Sequence, residues 1–446
     1  MCGVFGIFNK DEASNYVYLG LHALQHRGQE AAGIVSTNGE RFYVYRGRGL
    51  VNEIFNKKGV IASLKGRIAI GHNRYSTFGD ESESNIQPLH AHYDLGSIAI
   101  AHNGNLVNAL TIKYNLVNQG AIFNTSSDTE VIIHLIARST KSSFFERLVE
   151  ALRTINGAFS LVIMREDELY AVRDPWGFRP LSMGKLDDAV VFASESCSFD
   201  LIGAEFIRDV EPGEVVVANK DGVHSFKPLE SEKEHKCVFE YIYFSRPDSL
   251  LWGKHVYSIR KEMGKVLARE FPVEADIVIP TPDSGVPAAI GFSQESKIPF
   301  DFGLIRNHYV GRTFIEPTQS IRNFGVRLKL NPARDVLKDK RVVVVDDSIV
   351  RGTTSRRIVK MLRGAGAREV HLRIASPPVI SPCFYGIDTP TRKELIASSH
   401  TIDEIRKYTT ADSLAYLSLQ GLRSVVGEDG WCFACFDGNY PLEFER

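Results

Sequence analysis

A cysteine stands second in the chain, directly after the initiator methionine. A small second residue lets the methionine be removed, which leaves Cys2 with a free α-amine of pKa about 7.7–8.0. Such an amine can take the proton from its own thiol and act as a base near neutral pH. Alone, Cys2 could equally be a small apolar residue opening a buried strand. Four further segments add to it. His26-Arg27-Gly28-Gln29-Glu30 follows a helix-like run, Gly71-His72-Asn73-Arg74-Tyr75-Ser76-Thr77 follows one apolar strand, and Ala101-His102-Asn103-Gly104-Asn105 follows another. Thr125-Ser126-Ser127-Asp128-Thr129-Glu130 has the look of a helix N-cap. Opening the side-chain amide of a free amino acid requires a cation for the carboxylate, an anion for the ammonium and donors for the oxyanion. Arg74, Asp128 and the Asn103–Gly104 pair offer that set, each expected at a strand end or turn.

A second chemistry lies in Val342-Val343-Val344-Val345-Asp346-Asp347-Ser348-Ile349-Val350-Arg351-Gly352-Thr353-Thr354-Ser355. Four β-branched residues predict a buried strand with two carboxylates at its end, and a loop containing Gly and Thr then opens a helix. Backbone N–H groups at such a helix start form an anion site. Paired acids can hold ribose hydroxyls or Mg²⁺, a hard cation that prefers oxygen. Residues 306–341 hold nine basic and three acidic side chains, a local surplus of 9 − 3 = +6. The core of that stretch, Arg306 to Thr313, reads as a flap over an anionic ligand or as a solvated basic face.

Cysteines supply a third constellation. Trp431-Cys432-Phe433-Ala434-Cys435-Phe436 contains one Cys-x-x-Cys, a spacing that metal sites and redox motifs share. Cys237 precedes the run Phe239-Glu240-Tyr241-Ile242-Tyr243, and Cys383 lies in Pro382-Cys383-Phe384-Tyr385-Gly386-Ile387-Asp388. On the residues alone, structural zinc and unmetallated buried thiols stay open, although Cys₄ zinc sites more often come as two Cys-x-x-Cys pairs. Cys197 has no partner in this scheme and is read as a small core residue.

The elements that must position these groups divide the chain in two. The first half shows short apolar runs between tight turns, which predict strands at Gly3–Phe8, Arg67–Gly71, Ser97–Ala101, Ala158–Met164 and Ala189–Ala193. Helices are expected over Asn15–Leu24 and Thr129–Ile136. The polar run Leu229–Lys236 predicts a linker, with domains over residues 2–232 and 233–446. Beyond it the pattern becomes strand, loop, helix: Ala275–Ile279 then Val286–Phe292, and Arg341–Val345 then Thr353–Leu362. That alternation predicts a parallel α/β sheet with ligands at the carboxyl ends of its strands.

Composition narrows the classes. The 446 residues carry 53 basic and 54 acidic side chains, a formal net charge of −1, which argues against a nucleic-acid binder. Leu95 to Ile112 lacks charged residues but includes His102, Asn103, Asn105 and Asn108, and no run is apolar enough to span a bilayer. No basic n-region or cleavage site follows Met1, and six cysteines are too sparse for a disulfide scaffold, so the expectation is a cytoplasmic protein. There is no Walker Gly-Lys-Ser/Thr and no GxGxxG.

Met-Cys-Gly-Val-Phe-Gly-Ile, His-Arg-Gly-Gln-Glu, Asn-Arg-Tyr-Ser-Thr, His-Asn-Gly-Asn and Ser-Ser-Asp-Thr-Glu together resemble the glutaminase domain of N-terminal-nucleophile amidotransferases. The resemblance implies a four-layer α/β/β/α sandwich in which Cys2 forms a glutamyl thioester. Arg74 would hold the substrate carboxylate, Asp128 its amino group and Asn103 with Gly104 the oxyanion; Thr77 would also contact substrate. The stretch ending in Thr354 is similar to the phosphoribosyl-pyrophosphate motif of type I phosphoribosyltransferases. Both halves together resemble the glutamine phosphoribosylpyrophosphate amidotransferases nearly end to end, with further support in Phe239–Ser249, Pro282–Pro287, Lys329–Asn331 and Ala411–Leu414. Carried over, Ser284, Asp346 and Asp347 would surround Mg²⁺; Ser348, Gly352, Thr353 and Thr354 would cradle the 5-phosphate; Tyr309, Arg312 and Lys329 would close the flap on pyrophosphate. Ammonia would cross an internal channel, purine nucleotides would inhibit, and a homotetramer is expected. One branch of the family holds a 4Fe–4S cluster at cysteines in the contexts of Cys237, Cys383, Cys432 and Cys435. Beginning at Met-Cys, the chain is expected to lack the propeptide of some cluster-bearing relatives. A non-catalytic phosphoribosyl-pyrophosphate sensor would have no use for Cys2, Arg74, Asn103 and Asp128. An amidotransferase making glucosamine phosphate or asparagine would not need the Asp346–Thr354 site.

Overall fold

The computed structural model describes residues 1–75, 82–230, 233–307, 330–389 and 391–442. In the first half two antiparallel sheets face one another. One has seven strands in the order Glu205–Asp209, Ser182–Leu186, Ala189–Ala193, Gly3–Phe8, Ile68–Arg74, Ala31–Thr37 and Phe42–Arg48. The other has six, in the order Gly222–Phe226, Val215–Asn219, Leu169–Arg173, Gly157–Met164, Gly96–Leu106 and Leu89–Tyr93. Val4, Val35, Ile70, Ala101, Val162 and Phe192 fill the space between them. Helices Ala13–Ala23, Val51–Phe55 and Cys197–Ile202 cover the outer face of the first sheet. Ala109–Asn118, Thr129–Arg138 and Phe144–Thr154 cover the second. This is the four-layer α/β/β/α order.

Burial on both faces explains why strands such as Gly157–Met164, buried at every position, read as continuous apolar runs although their sheet is antiparallel. Phe144–Thr154 shows how a covering helix is specified. Phe144, Leu148, Ala151 and Leu152 recur at helical spacing on its buried face, and Ser143 with Glu146 closes a capping box at its start.

In the second half Ile277–Pro280, Arg341–Asp346, Glu369–Ile374 and Ser413–Tyr416 form a four-stranded parallel sheet in that order. Helices Val256–Glu270, Val286–Ser296 and Leu419–Val426 pack on one face, and Thr353–Gly364 with Ile402–Thr409 on the other. No helix among the described residues is long and apolar enough to cross a membrane. Cys197 is buried in the first-half core, as expected.

One expectation needs correction. Arg74 ends the strand Ile68–Arg74, as expected, whereas Asn103 and Gly104 lie inside an eleven-residue strand, Gly96–Leu106, that runs past the predicted Ser97–Ala101. Leu89–Tyr93 pairs only with Gly96–Ile100, and it is Gly157–Met164 on the other side that keeps the strand going through Asn103–Asn105, residues of poor β-propensity. The run Leu229–Lys236, expected as a linker, makes contacts at its described ends. Leu229 is buried, His235 N donates to Trp176 O at 2.7 Å, and Lys236–Cys237 pairs in parallel with Trp431–Cys432.

Candidate active site

Cys2 sits at the head of Gly3–Phe8, the central strand of the seven-stranded sheet, and Asn103–Gly104 faces it from the other sheet. The nucleophile and its candidate oxyanion donors therefore come from opposite layers. Cys2 N donates to Asn103 Oδ1 at 3.2 Å, so the nitrogen that methionine removal would free is already held. Asn103 Nδ2 is buried without a partner among the described residues. An amide donor left unsatisfied costs about 1–3 kcal/mol unless a ligand accepts from it. Around this pair a pocket of about 330 Å³ is lined by Cys2, Arg74, Asn85, Gln87, His102, Gly104 and Asp128 among others. Cys2 Sγ contacts Tyr75 O at 3.5 Å, and burial pushes its thiol up, against the pull of the nearby amino terminus.

Charges in the pocket are fixed by their neighbours. Burial works to raise the carboxyl of Asp128, but His102 and hydrogen bonds from Leu106 N at 3.0 Å and Thr129 Oγ1 hold it below its ordinary range. His72 is kept neutral by burial, pushed down to about 3, and its Nε2 pairs with His102 O at 3.1 Å. Asn85 bonds Ser126 through both amide atoms, and Gln87 bridges His102 N and Thr129 Oγ1. Glu130 ties down the loop before Asp128 by accepting from Asn124 N and Thr125 N, each at 2.8 Å. Against the cost of burial, these bonds and His134 bring its carboxyl down from 4.5 to about 2. A carboxyl depressed on folding contributes stability that is present above pH 4.5 and lost as pH falls toward 2. Acid unfolding of Glu130→Gln should lack that component, its stability deficit against the parent closing between those pH values; a constant deficit would contradict this.

Behind Cys2 a buried ion-pair network joins the halves. Arg27 donates to Cys2 O at 3.0 Å, to Glu195, and to Glu240 at 2.8 and 3.1 Å. Glu195 also accepts from Ser249 Oγ at 2.7 Å and Arg246 N at 2.8 Å. Glu240 begins a π-helical turn, Glu240–Phe244. Three residues on, Tyr243 is half exposed, and partial burial followed by the charges of Asp347, Tyr75 and Asp346 pushes its phenol up to about 12.

At the carboxyl end of Arg341–Asp346, Asp347 accepts from Ser284 Oγ at 2.5 Å and from Ser348 Oγ at 2.6 Å. Burial and the adjoining Asp347 push the Asp346 carboxyl well up. Gly352, at φ 74°, precedes helix Thr353–Gly364. A Cβ there would be strained and would come within 3.0 Å of Ile396 Cδ1. Thr353 and Thr354 are exposed on the first turn, where the N–H groups of a helix have no intrahelical acceptor and can bind an anion.

Cys237, Cys383, Cys432 and Cys435 line one cavity of about 390 Å³ together with Phe178, Phe239, Tyr385 and Tyr440. The Cys237–Cys432 register of the short parallel pair sets two of them side by side. Burial, with the neighbouring thiols, pushes Cys237 up to about 11 and Cys435 well up. Among the described residues, no three His, Cys, Asp or Glu side chains are grouped closely enough to hold a single metal ion.

Sequence reasoning thus names groups that the fold gathers into three places: Cys2, Arg74, Asn103, Gly104 and Asp128; Ser284, Asp346, Asp347, Ser348, Gly352, Thr353 and Thr354; and four cysteines. Thr77, Tyr309, Arg312 and Lys329 lie outside the described residues. It missed Asn85 and Gln87, which line the first pocket from a loop with no periodic pattern, and Tyr243, which only its Phe239–Ser249 context could have flagged.

Residues 72–200 match the glutamine amidotransferase domain family and residues 253–375 the phosphoribosyl transferase domain family. The chain is 55% identical to amidophosphoribosyltransferase 1, chloroplastic, of Arabidopsis thaliana, over 99% of this chain and 79% of that one. It is 53% identical to the amidophosphoribosyltransferase of Bacillus subtilis strain 168, over 99% and 94%. The solved structure of the B. subtilis glutamine phosphoribosylpyrophosphate amidotransferase, complexed with ADP and GMP, superposes with a TM-score of 0.95 at 52% identity, covering 100% of this chain and 98% of that one. With both domains matched, and with relatives this similar along nearly its whole length, the chain belongs to the amidophosphoribosyltransferase family.

Proposed function

We propose that residues 2–232 hydrolyse glutamine at Cys2 and that residues 233–446 transfer the ammonia to phosphoribosyl pyrophosphate. The products are 5-phosphoribosylamine, glutamate and pyrophosphate, in the first committed step of purine (IMP) synthesis. One observation carries the reading: a cysteine nitrogen held by Asn103, whose own amide N–H is orphaned beside it, in the same chain as an acid pair followed by a glycine-opened helix.

The freed α-amine of Cys2 takes the thiol proton, and the thiolate adds to the side-chain amide carbon of glutamine. Asn103 Nδ2 and the Gly104 N–H donate to the resulting oxyanion, while Arg74 pairs with the substrate carboxylate and Asp128 with its ammonium. Collapse breaks the C–N bond and returns the proton to the departing ammonia, leaving a glutamyl thioester that water hydrolyses. Thr77 belongs to the same substrate contacts. In the second half, ammonia adds at C1 of the ribose as the bond to pyrophosphate breaks. Ser348, Gly352, Thr353 and Thr354 hold the 5-phosphate, and Tyr309, Arg312 and Lys329 close over pyrophosphate.

The all-oxygen set of Ser284, Asp346 and Asp347 fits Mg²⁺, which when bound offsets the charge of the leaving pyrophosphate. The four thiols line one cavity together with Phe178, Phe239 and Tyr385, and as soft thiolates they would be the ligands of a 4Fe–4S cluster. Its role is structural, since the transfer moves no electrons. Purine nucleotides as inhibitors are supported by the ADP and GMP bound to the B. subtilis relative. A homotetramer and a cytoplasmic location complete the proposal.

A chain that keeps Met1 has its Cys2 nitrogen tied up in a peptide bond. Glutamine use should then be at least about 10²-fold lower than in the processed chain, the usual weight of a general base, with ammonia use retained. N-terminal mass measured beside both activities checks this. Full glutamine use by a Met1-bearing chain would contradict it.

A further inference from the structure

The segment that carries Cys383 does more than hold a thiol. Its backbone crosses into the first half and lies against the strand that bears the oxyanion donors. A Cβ built on Gly386, at φ 98°, would stand 3.0 Å from both Gly104 Cα and Gly104 C and 3.1 Å from Gly104 O. One residue beyond Gly104, the side chain of Asn105 donates from Nδ2 to Phe384 O at 2.9 Å, and its Oδ1 is buried with no partner among the described residues. Between these contacts Tyr385 is 1% exposed and stacks on Phe178 with ring centroids 4.3 Å apart, while Arg179 Nε donates to its carbonyl at 2.8 Å. A Cβ at Gly104 itself would meet Ala158 O, on the neighbouring strand, at 1.9 Å. The Gly104 peptide thus packs tightly both against Gly157–Met164 and against a loop from the other half of the molecule.

We infer that Phe384–Gly386 is a positioning loop for glutamine hydrolysis, which fixes the Asn103–Gly104 donors through the Gly386–Gly104 packing and the Asn105–Phe384 hydrogen bond. Its residues touch no substrate. They act through the strand whose N–H groups must meet the oxyanion. A side chain on Gly386 forces that backbone to give by a few tenths of an ångström, and oxyanion stabilisation is steeply sensitive to such shifts. The donors are needed in the transition state far more than in glutamine binding, so the loss should appear in kcat and not in KM. The inference rests on the glutaminase reading given above.

The test uses the full-length enzyme with two independent variants. Gly386→Ala presses on Gly104; Asn105→Ala removes the hydrogen bond without adding bulk or disturbing φ. Gly366→Ala serves as the comparison: it also places a side chain at positive φ, here 100°, but its Cβ would lie 3.6 Å from its nearest neighbours, on Lys338. Gly386→Ala and Asn105→Ala should each lower kcat for glutamine hydrolysis about 5- to 20-fold, with KM for glutamine within twofold. Ammonia-dependent pyrophosphate release should be unchanged in both, and Gly366→Ala should leave the ratio of the two activities at the parental value. A parallel fall of both activities in Gly386→Ala and Asn105→Ala, or a change confined to KM, would overturn the positioning role. If the parent enzyme itself releases no glutamate, the glutaminase reading fails and the positioning role falls with it.

Discussion

Cys2→Ala should lose glutamine-dependent product formation by at least about 10³-fold while ammonia-dependent formation stays within about twofold of the parent. Alanine keeps a small second residue, so methionine removal and the free α-amine are preserved and only the thiol is lost. Without it no thioester can form, and removing a covalent nucleophile forfeits the whole two-step path. The second site is untouched, because its groups lie at the end of a different sheet in the other half of the chain. Steady-state assays with each nitrogen donor, on one preparation, check both halves of the expectation. Equal losses with both donors would mean that the cysteine supports the fold, and that the division of labour is wrong.

The opposite pattern is expected at the acid pair. Asp346→Asn and Asp347→Asn should each lower pyrophosphate release by about 10²-fold or more with either donor, in keeping with several kcal/mol for charge stabilisation on a leaving phosphate. Asp347 also accepts from Ser284 and Ser348, and an amide in its place can accept at only one of those two oxygens. Glutamine hydrolysis measured without phosphoribosyl pyrophosphate should persist in both variants. Retained ammonia-dependent pyrophosphate release in either would remove that carboxylate from the transfer site.

Local chemistry was easy to read in the sequence, and tertiary assembly was not. The valine run ending in Asp346–Asp347 and the loop through Gly352 into Thr353–Gly364 announce themselves because strand, acids, turn and helix are contiguous. Asn103–Gly104 reads as a strand end or turn because its residues disfavour strands, and only pairing with Gly157–Met164, some fifty positions away, keeps it extended. The pairing of Lys236–Cys237 with Trp431–Cys432 leaves no trace in the sequence, because a two-residue strand has no period and its partner lies almost two hundred positions on. The ion pairs that join the halves draw on Arg27, Arg179, Glu195 and Glu240, whose spacing along the chain carries no pattern. Asn85 and Gln87 reach the pocket from a loop whose placement depends on hydrogen bonds to Ser126, His102 and Thr129.

The most direct test of a coupled two-site enzyme is the stoichiometry of its products. The anaerobically prepared wild-type chain, given glutamine and phosphoribosyl pyrophosphate with Mg²⁺, should release glutamate and pyrophosphate in a 1:1 ratio, with glutamate release rising when phosphoribosyl pyrophosphate is added. Binding of phosphoribosyl pyrophosphate with release of neither product would contradict the account and leave a sensor built on the same fold.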